Sequence, residues 1–228
     1  TGNVQLAAKI GRGCCYLDTT FSASLDGGGG GGGGGGRAFD SFVAAIAHTG
    51  RVRDSVWRTK LGVLNFSGAR AEVELTYLHD GEASTETLTL AHGELRTWDD
   101  AAVGLFGVSG RSSGPVFVAS DQQLVITSRT YSEGEQGTFG SFMEAAGLSQ
   151  TFILGDVGVV SQLCGNNDFR TNIGIVNLTD SSCQVRVRVR SASGLEIGSP
   201  VDVTLDAYGF EQINDFFAAS GSGFRDNV

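Results

Sequence analysis

Residues 57–65 read Trp57-Arg58-Thr59-Lys60-Leu61-Gly62-Val63-Leu64-Asn65, and residues 169–177 read Phe169-Arg170-Thr171-Asn172-Ile173-Gly174-Ile175-Val176-Asn177. The Arg, Thr, Gly and Asn are identical in type, and every aliphatic position stays aliphatic. The match continues in register. Val73, Leu75 and Tyr77 fall on Val185, Val187 and Val189, each set alternating with mostly polar residues. That period of two marks a half-buried strand. A third block pairs Thr89-Leu90 and Asp99-Asp100 with Thr204-Leu205 and Asn214-Asp215. The offset is 112 residues in the first blocks and 115 in the last, so copy two carries a small loop insertion. Three blocks in order imply tandem duplication of one folding unit.

Each copy reads as short strands divided by turns. In copy one they are expected at 42–48, 56–65, 71–78, 84–90, 94–98, 115–119, 123–131 and 137–143. Ser67-Gly68, Asp80-Gly81, His92-Gly93 and Gly134 supply the turns. Such spacing predicts an all-β sandwich or barrel. Asp99 should cap a short helix over 100–106. Copy two ends after its equivalent, which starts at Asn214, and so is short of two strands. The open edge this leaves would template pairing with another strand. At the other end, 3–10 and 16–24 can be strands, ahead of a run of ten glycines, Gly27–Gly36. Without side chains to pack, that run reads as a flexible tether, with a packed glycine helix as the alternative. The expected organisation is an arm with tether at 1–37, a first sandwich at 38–146 and an incomplete second one at 147–228.

Composition narrows the function. Sixteen basic residues against 25 acidic give a net charge of −9, which disfavours nucleic acid. Arg186, Arg188 and Arg190 lie on one strand face, better explained by solvation than by a binding stripe. No apolar run approaches the roughly 20 residues of a spanning helix, so no membrane span is expected. The chain opens on Thr1 rather than Met, which fits a removed leader or a fragment. Few Lys and Met beside abundant Thr and Val suit β structure.

Candidate chemistry is sparse. Gly110-Arg111-Ser112-Ser113-Gly114 has the G-x-S-x-G form, but Pro115 and a strand follow where a nucleophile elbow needs a helix. It reads as a Ser/Gly loop. His79 and His92 sit beside turn glycines and read as turn or surface residues, and His48 as structural. The glycine run lacks the Lys-Ser/Thr of a phosphate loop. Asp18, Asp26 and Asp40 are too scattered for calcium. No catalytic, cofactor-binding or metal residue is assigned, and no enzyme activity is expected. Four cysteines lack zinc-ligand spacing. Cys164 and Cys183 flank one strand and are a candidate disulfide, which would indicate an oxidising compartment. Cys14 and Cys15 are adjacent and strained against pairing with each other. They are left to bridge the arm to other segments or another chain, or to stay as buried thiols. Asn65-Phe66-Ser67 and Asn177-Leu178-Thr179 are candidate glycosylation tripeptides, or else Asn-led turns. Arg58 with Asp100, and Arg170 with Asp215, are expected to form a repeated structural pair.

The W-R-T-x-L-x-(aliphatic)-x-N strand, the V-x-L-T-Y strand, the T-L-x-L segment, the D-D-x-x-x-x-L-F-G stretch and the I-T-S-R-T-Y…G-T-F-G ending resemble tandem immunoglobulin-like β-sandwich repeats of uncharacterised secreted bacterial proteins. The likeness covers roughly 42–228. It implies an extracellular or cell-surface setting and brings no catalytic residues. Two non-enzymatic roles follow. One is a structural subunit that forms a homo-oligomer, filament or surface layer, its arm filling the open edge of a neighbour. The other is an adhesion or glycan- or protein-binding module using loops and aromatics such as Trp98 or Tyr208.

Overall fold

The computed structural model describes residues 3–11, 39–49, 56–134, 137–147, 151–153, 156–160, 163–167, 170–179, 181–191 and 193–223, with backbone alone for 3–11, 39, 40, 134, 153 and 170. The expected features at Cys14, Cys15, 16–24 and Gly27–Gly36 lie outside these residues. The chain is all-β and mainly antiparallel. Its elements are β1 (Asn3–Gly11), β2 (Phe39–His48), β3 (Trp57–Asn65), β4 (Ala71–His79), β5 (Glu82–Leu90), β6 (Leu95–Trp98), α1 (Ala101–Gly104), β7 (Ser112–Ser120), β8 (Leu124–Gly134), β9 (Gly137–Glu144), β10 (Ala146–Gly147), β11 (Phe152–Ile153), β12 (Arg170–Asn177), β13 (Cys183–Arg190), β14 (Glu196–Leu205), β15 (Phe210–Ile213) and α2 (Phe216–Ala219).

Contacts divide the chain into two compact units, 24–150 and 1–23 with 151–228. In the first, a sheet ordered β10-β2-β7-β4-β5 and another ordered β6-β3-β8-β9 contribute to one core. Alternation decides which side chains enter it. Val73, Leu75 and Tyr77 of β4 are buried while Glu72 is exposed. They meet Leu61 and Val63 from β3 and Val116 from β7 in that core. In the second unit the sheets are ordered β11-β1-β12-β15 and β13-β14. Their core holds Ile173, Ile175, Leu205, Phe216 and Phe217.

β1, from the expected arm, pairs antiparallel with β12 of its own chain from Val4 opposite Asn177 to Gly11 opposite Arg170. Two local expectations change. Ser112–Gly114 belong to β7 and not to a loop. Ser-Ser-Gly looks like a turn, but Gly114 lies so close to the Leu78 carbonyl that any Cβ would collide with it. The helix α1 is capped by Asp100, which accepts from Val103 N, rather than by Asp99.

Candidate functional site

Two strand edges and two polar corners carry the features expected to matter. The first edge belongs to β12. In the first unit β3 lies between β6 and β8, with Asn65 opposite Leu124 and Arg58 opposite Tyr131. Its equivalent β12 lies between β15 and β1, with Asn177 opposite Val4 and Arg170 opposite Gly11. The arm therefore occupies the slot that β8 fills in the other unit.

The second edge belongs to β13. Its equivalent β4 is hydrogen-bonded on both sides, to β5 and to β7. Among the described residues β13 pairs with β14 alone. The consequence shows in burial. Val73 and Leu75 are wholly buried, whereas Val185 and Val187 at the same places are half-buried. The opposite face carries Arg186, bonded to both carboxylate oxygens of Asp202 at 2.6 and 2.9 Å, and Arg188, 3.0 Å from Glu196. Arg190 donates to the Gly194 carbonyl. Hydrogen bonding to Arg186 holds the Asp202 carboxyl below its ordinary value. These ion pairs are exposed, as the solvated-face reading requires.

The first polar corner closes β3 and is repeated at the end of β12. Asn65 donates from Nδ2 to the Ala69 and Leu90 carbonyls at 2.6 and 3.0 Å and accepts from Ser67 N and Oγ at 3.0 and 2.7 Å. Asn177 donates to the Ser181 and Asp206 carbonyls at 2.7 and 2.8 Å and accepts from Thr179 N and Oγ1 at 3.1 and 2.8 Å. Both asparagines have no exposed surface. These are the side-chain to backbone bonds of Asn-led turns, the other reading of the two tripeptides. A glycan on Nδ2 would take one of the two donated hydrogens and need space that the packing does not leave.

The second polar corner lies at the end of β2. Asp100 Oδ2 is 2.7 Å from His48 Nδ1 and 3.2 Å from Arg58 Nε, while its other oxygen caps α1. His48 is directly opposite Ser112 across the ladder. Ser112 and Tyr77 are buried, and neither hydroxyl has a partner in good hydrogen-bond geometry. Burial pushes the Tyr77 phenol up to about 12. Hydrogen bonding from the nearby Ser112 hydroxyl to the phenolate opposes that rise, and the Asp80 and Asp100 charges add to it. The sequence offered His48 and Asp100 separately, 52 positions apart, with no spacing that joined them. In the second unit Asp215 makes no side-chain cap and has φ +49°. Its backbone N–H donates to Asn172 Oδ1 at 2.9 Å. The Arg170 side chain lies outside the described residues.

The remaining candidates disperse. No disulfide joins Cys164 to Cys183. Thr171 Oγ1 donates to the Cys164 carbonyl near the start of β12, and Cys183 opens β13 beyond its far end. An eight-residue strand spans roughly 25 Å, and a bridge tolerates about 7 Å between Cα atoms. Burial raises the Cys183 thiol above its ordinary value. His79, expected as a turn or surface residue, ends β4 at the Asp80-Gly81 turn but is buried, with Nε2 3.1 Å from Ser84 Oγ and its ring centroid 4.7 Å from that of Tyr77. Its place as the last inward position of β4 puts it there. His92 accepts from Gly68 N at 3.0 Å. Trp98 is half-buried against the core and offers no open platform, whereas Tyr208 is 42 % exposed. No helix among the described residues is long and apolar enough to cross a membrane.

No protein-family model matches the chain, and neither does any curated protein. Among solved structures, the crystal structure of Thermotoga maritima 1070 aligns over 49 % of this chain and 95 % of its own, with TM-score 0.38 and 13 % identity. That likeness is too slight to assign a fold.

Proposed function

We propose that this chain is a non-enzymatic structural protein of the cell exterior, built of two immunoglobulin-like β-sandwich units, that self-assembles by strand addition. One observation carries the reading: β1 fills a strand slot in a repeat from which it is separated by the whole of the other unit. A slot filled by a distant segment can be filled equally by the same segment of a neighbouring copy, because the backbone bonds are identical. The 27 residues between Gly11 and Phe39 reach up to ~90 Å when extended. They do not restrict the arm to its own chain. Exchange between successive copies is head-to-tail and produces filaments when the rotation does not close.

The test uses two single variants in a background with all four cysteines changed to serine. Lys9 lies opposite Asn172 across the β1–β12 ladder. When Lys9→Cys and Asn172→Cys chains are mixed, unfolded and refolded together, only an arm seated in another copy can yield a mixed disulfide dimer. A mixed dimer, with masses above one chain by light scattering, is the expected result. A monomer with no mixed dimer, alongside an internally bridged Lys9→Cys/Asn172→Cys double variant, would overturn the assembly.

A further inference from the structure

The slot beside β12 has a counterpart in the other unit that shows what it takes. We propose that it selects its strand by sequence, accepting an extended segment with aliphatic, aliphatic, small and aliphatic residues at alternate positions. This selectivity belongs to the same strand exchange and rests on the self-assembly reading above. β8 lies against β3 in the register and direction in which β1 lies against β12. Leu124, Ile126, Ser128 and Thr130 stand opposite Asn65, Val63, Leu61 and Thr59. Val4, Leu6, Ala8 and Ile10 stand opposite Asn177, Ile175, Ile173 and Thr171. All of these β3 and β12 residues are buried, and directly opposed residues share a face of the sheet. These are therefore the core-facing positions of each incoming strand.

The first two positions are aliphatic in both strands, and the third is small. Ser128 is itself buried, opposite the wholly buried Leu61. Beside a long aliphatic in a closely packed core, a second large side chain overpacks the site. Ala8 holds the same place opposite Ile173. At the intervening positions Val125, Thr127 and Tyr131 correspond to Gln5, Ala7 and Gly11, which share no chemistry. Apart from the cations Arg129 and Lys9, the likeness is confined to the core-facing positions.

The fourth position separates the two slots. Thr59 and Thr130 bond to each other there, Oγ1 to Oγ1 at 2.8 Å. Thr171 instead donates its hydroxyl proton to the Cys164 carbonyl at 2.8 Å. A hydroxyl has one proton to give. With that proton placed inside its own unit, Thr171 requires no acceptor on the incoming strand, and Ile10 stands where β8 has Thr130. The β12 slot is left to gain from apolar burial at this position. It should prefer the arm to a strand of β8 type.

The same cysteine-free background tests it, with the full-length Asn172→Cys chain as acceptor. The acceptor at residue 164 is a backbone carbonyl and survives the change to serine. The chain is refolded with an excess of synthetic peptide 3–11 carrying Lys9→Cys, or of peptide 123–131 carrying Arg129→Cys at the equivalent place. Its own arm competes equally with each peptide, so ratios of disulfide adduct by mass spectrometry read the slot. Peptide 3–11 should form the adduct. Ile10→Thr should cut its yield about tenfold, the effect expected from the apolar burial lost, and Ala8→Leu should abolish it. Thr130→Ile should raise the yield of peptide 123–131 by a similar factor. A peptide 3–11 adduct unmoved by either Ile10→Thr or Ala8→Leu would overturn the selectivity while strand addition stands. No adduct with any peptide would overturn both.

Discussion

Asn177 fastens the end of β12 with the same set of side-chain hydrogen bonds by which Asn65 fastens the end of β3. Each amide spans three segments: its own strand end, the turn that follows, and the carbonyl of a residue 25 positions on for Asn65 or 29 for Asn177. Buried carbonyls need donors, and in both copies one side chain supplies two.

Asn65→Asp should therefore be costly although its shape is unchanged. It swaps two donors for an acceptor facing the Ala69 and Leu90 carbonyls. An unsatisfied buried polar group costs about 1–3 kcal/mol. A loss of roughly 3 kcal/mol is expected in urea unfolding of the first unit, and Asn177→Asp should do the same to the second. Losses below about 0.5 kcal/mol, the range of ordinary surface substitutions, would show that the corners do not hold the strand ends.

The polar corner at Asp100 should behave unlike its counterpart at Asp215. Asp100 caps α1 and meets both His48 and Arg58, whereas Asp215 makes no side-chain cap. Loss of a cap costs about 1 kcal/mol, and breaking a half-buried charged contact adds to it. Asp100→Ala should lower stability by roughly 2 kcal/mol. Asp215→Asn should change it by less than about 0.5 kcal/mol, since asparagine tolerates positive φ as aspartate does. Equal losses at both sites would mean that the two corners work alike.

Much of the strand layout was readable because alternation and burial are the same fact seen twice. Val73-Leu75-Tyr77 and Val185-Val187-Val189 became the inward faces of β4 and β13. The joining of His48 to Asp100 was not readable, because it depends on where β2 ends relative to α1 in space. The cap was read one residue early, at Asp99 rather than Asp100, because two adjacent aspartates satisfy the same pattern. Asp99 instead faces Lys60 at 2.7 Å. Cys164 and Cys183 seemed placed to bridge only while the length of the strand between them was ignored. The arm was expected to fill an open edge of a neighbouring copy, whereas β1 pairs with β12 of its own chain; strand periodicity marks a segment as a strand but not which edge it joins.

Glu94 should govern part of the acid response. Its carboxylate accepts from Ala91 N at 2.8 Å and meets Arg96 Nε at 2.9 Å. The Ala91 bond, then Arg96, hold it below its ordinary value of 4.5. A depressed carboxyl stabilises the fold above its unfolded value and loses that effect as pH falls through its folded one. The urea midpoint of the first unit should fall as pH drops through and below 4.5, and Glu94→Gln should flatten that fall. An unchanged acid limb in Glu94→Gln would show that this turn carries none of it.

Tyr77 gives the opposite limb. Its phenol is buried, without a partner in good hydrogen-bond geometry, and pushed from 10.0 to about 12, chiefly by burial. The folded state therefore keeps its proton where the unfolded chain loses it. Between pH 10 and about 12 the unfolded state binds fewer protons, so stability should fall as pH rises through that window. Tyr77→Phe removes the titrating group and should remove its share of the fall. At neutral pH it also deletes a hydroxyl that gains no hydrogen bond on folding. The variant should then match the parent or exceed it by about 1 kcal/mol. This is the reverse of the usual cost of trimming a buried tyrosine, and it separates the two readings of the corner. A loss of 1 kcal/mol or more at pH 7 would mean that the phenol has a partner in solution. Ser112, across the ladder from His48, would then be the first residue to examine, through the paired Tyr77→Phe/Ser112→Ala cycle.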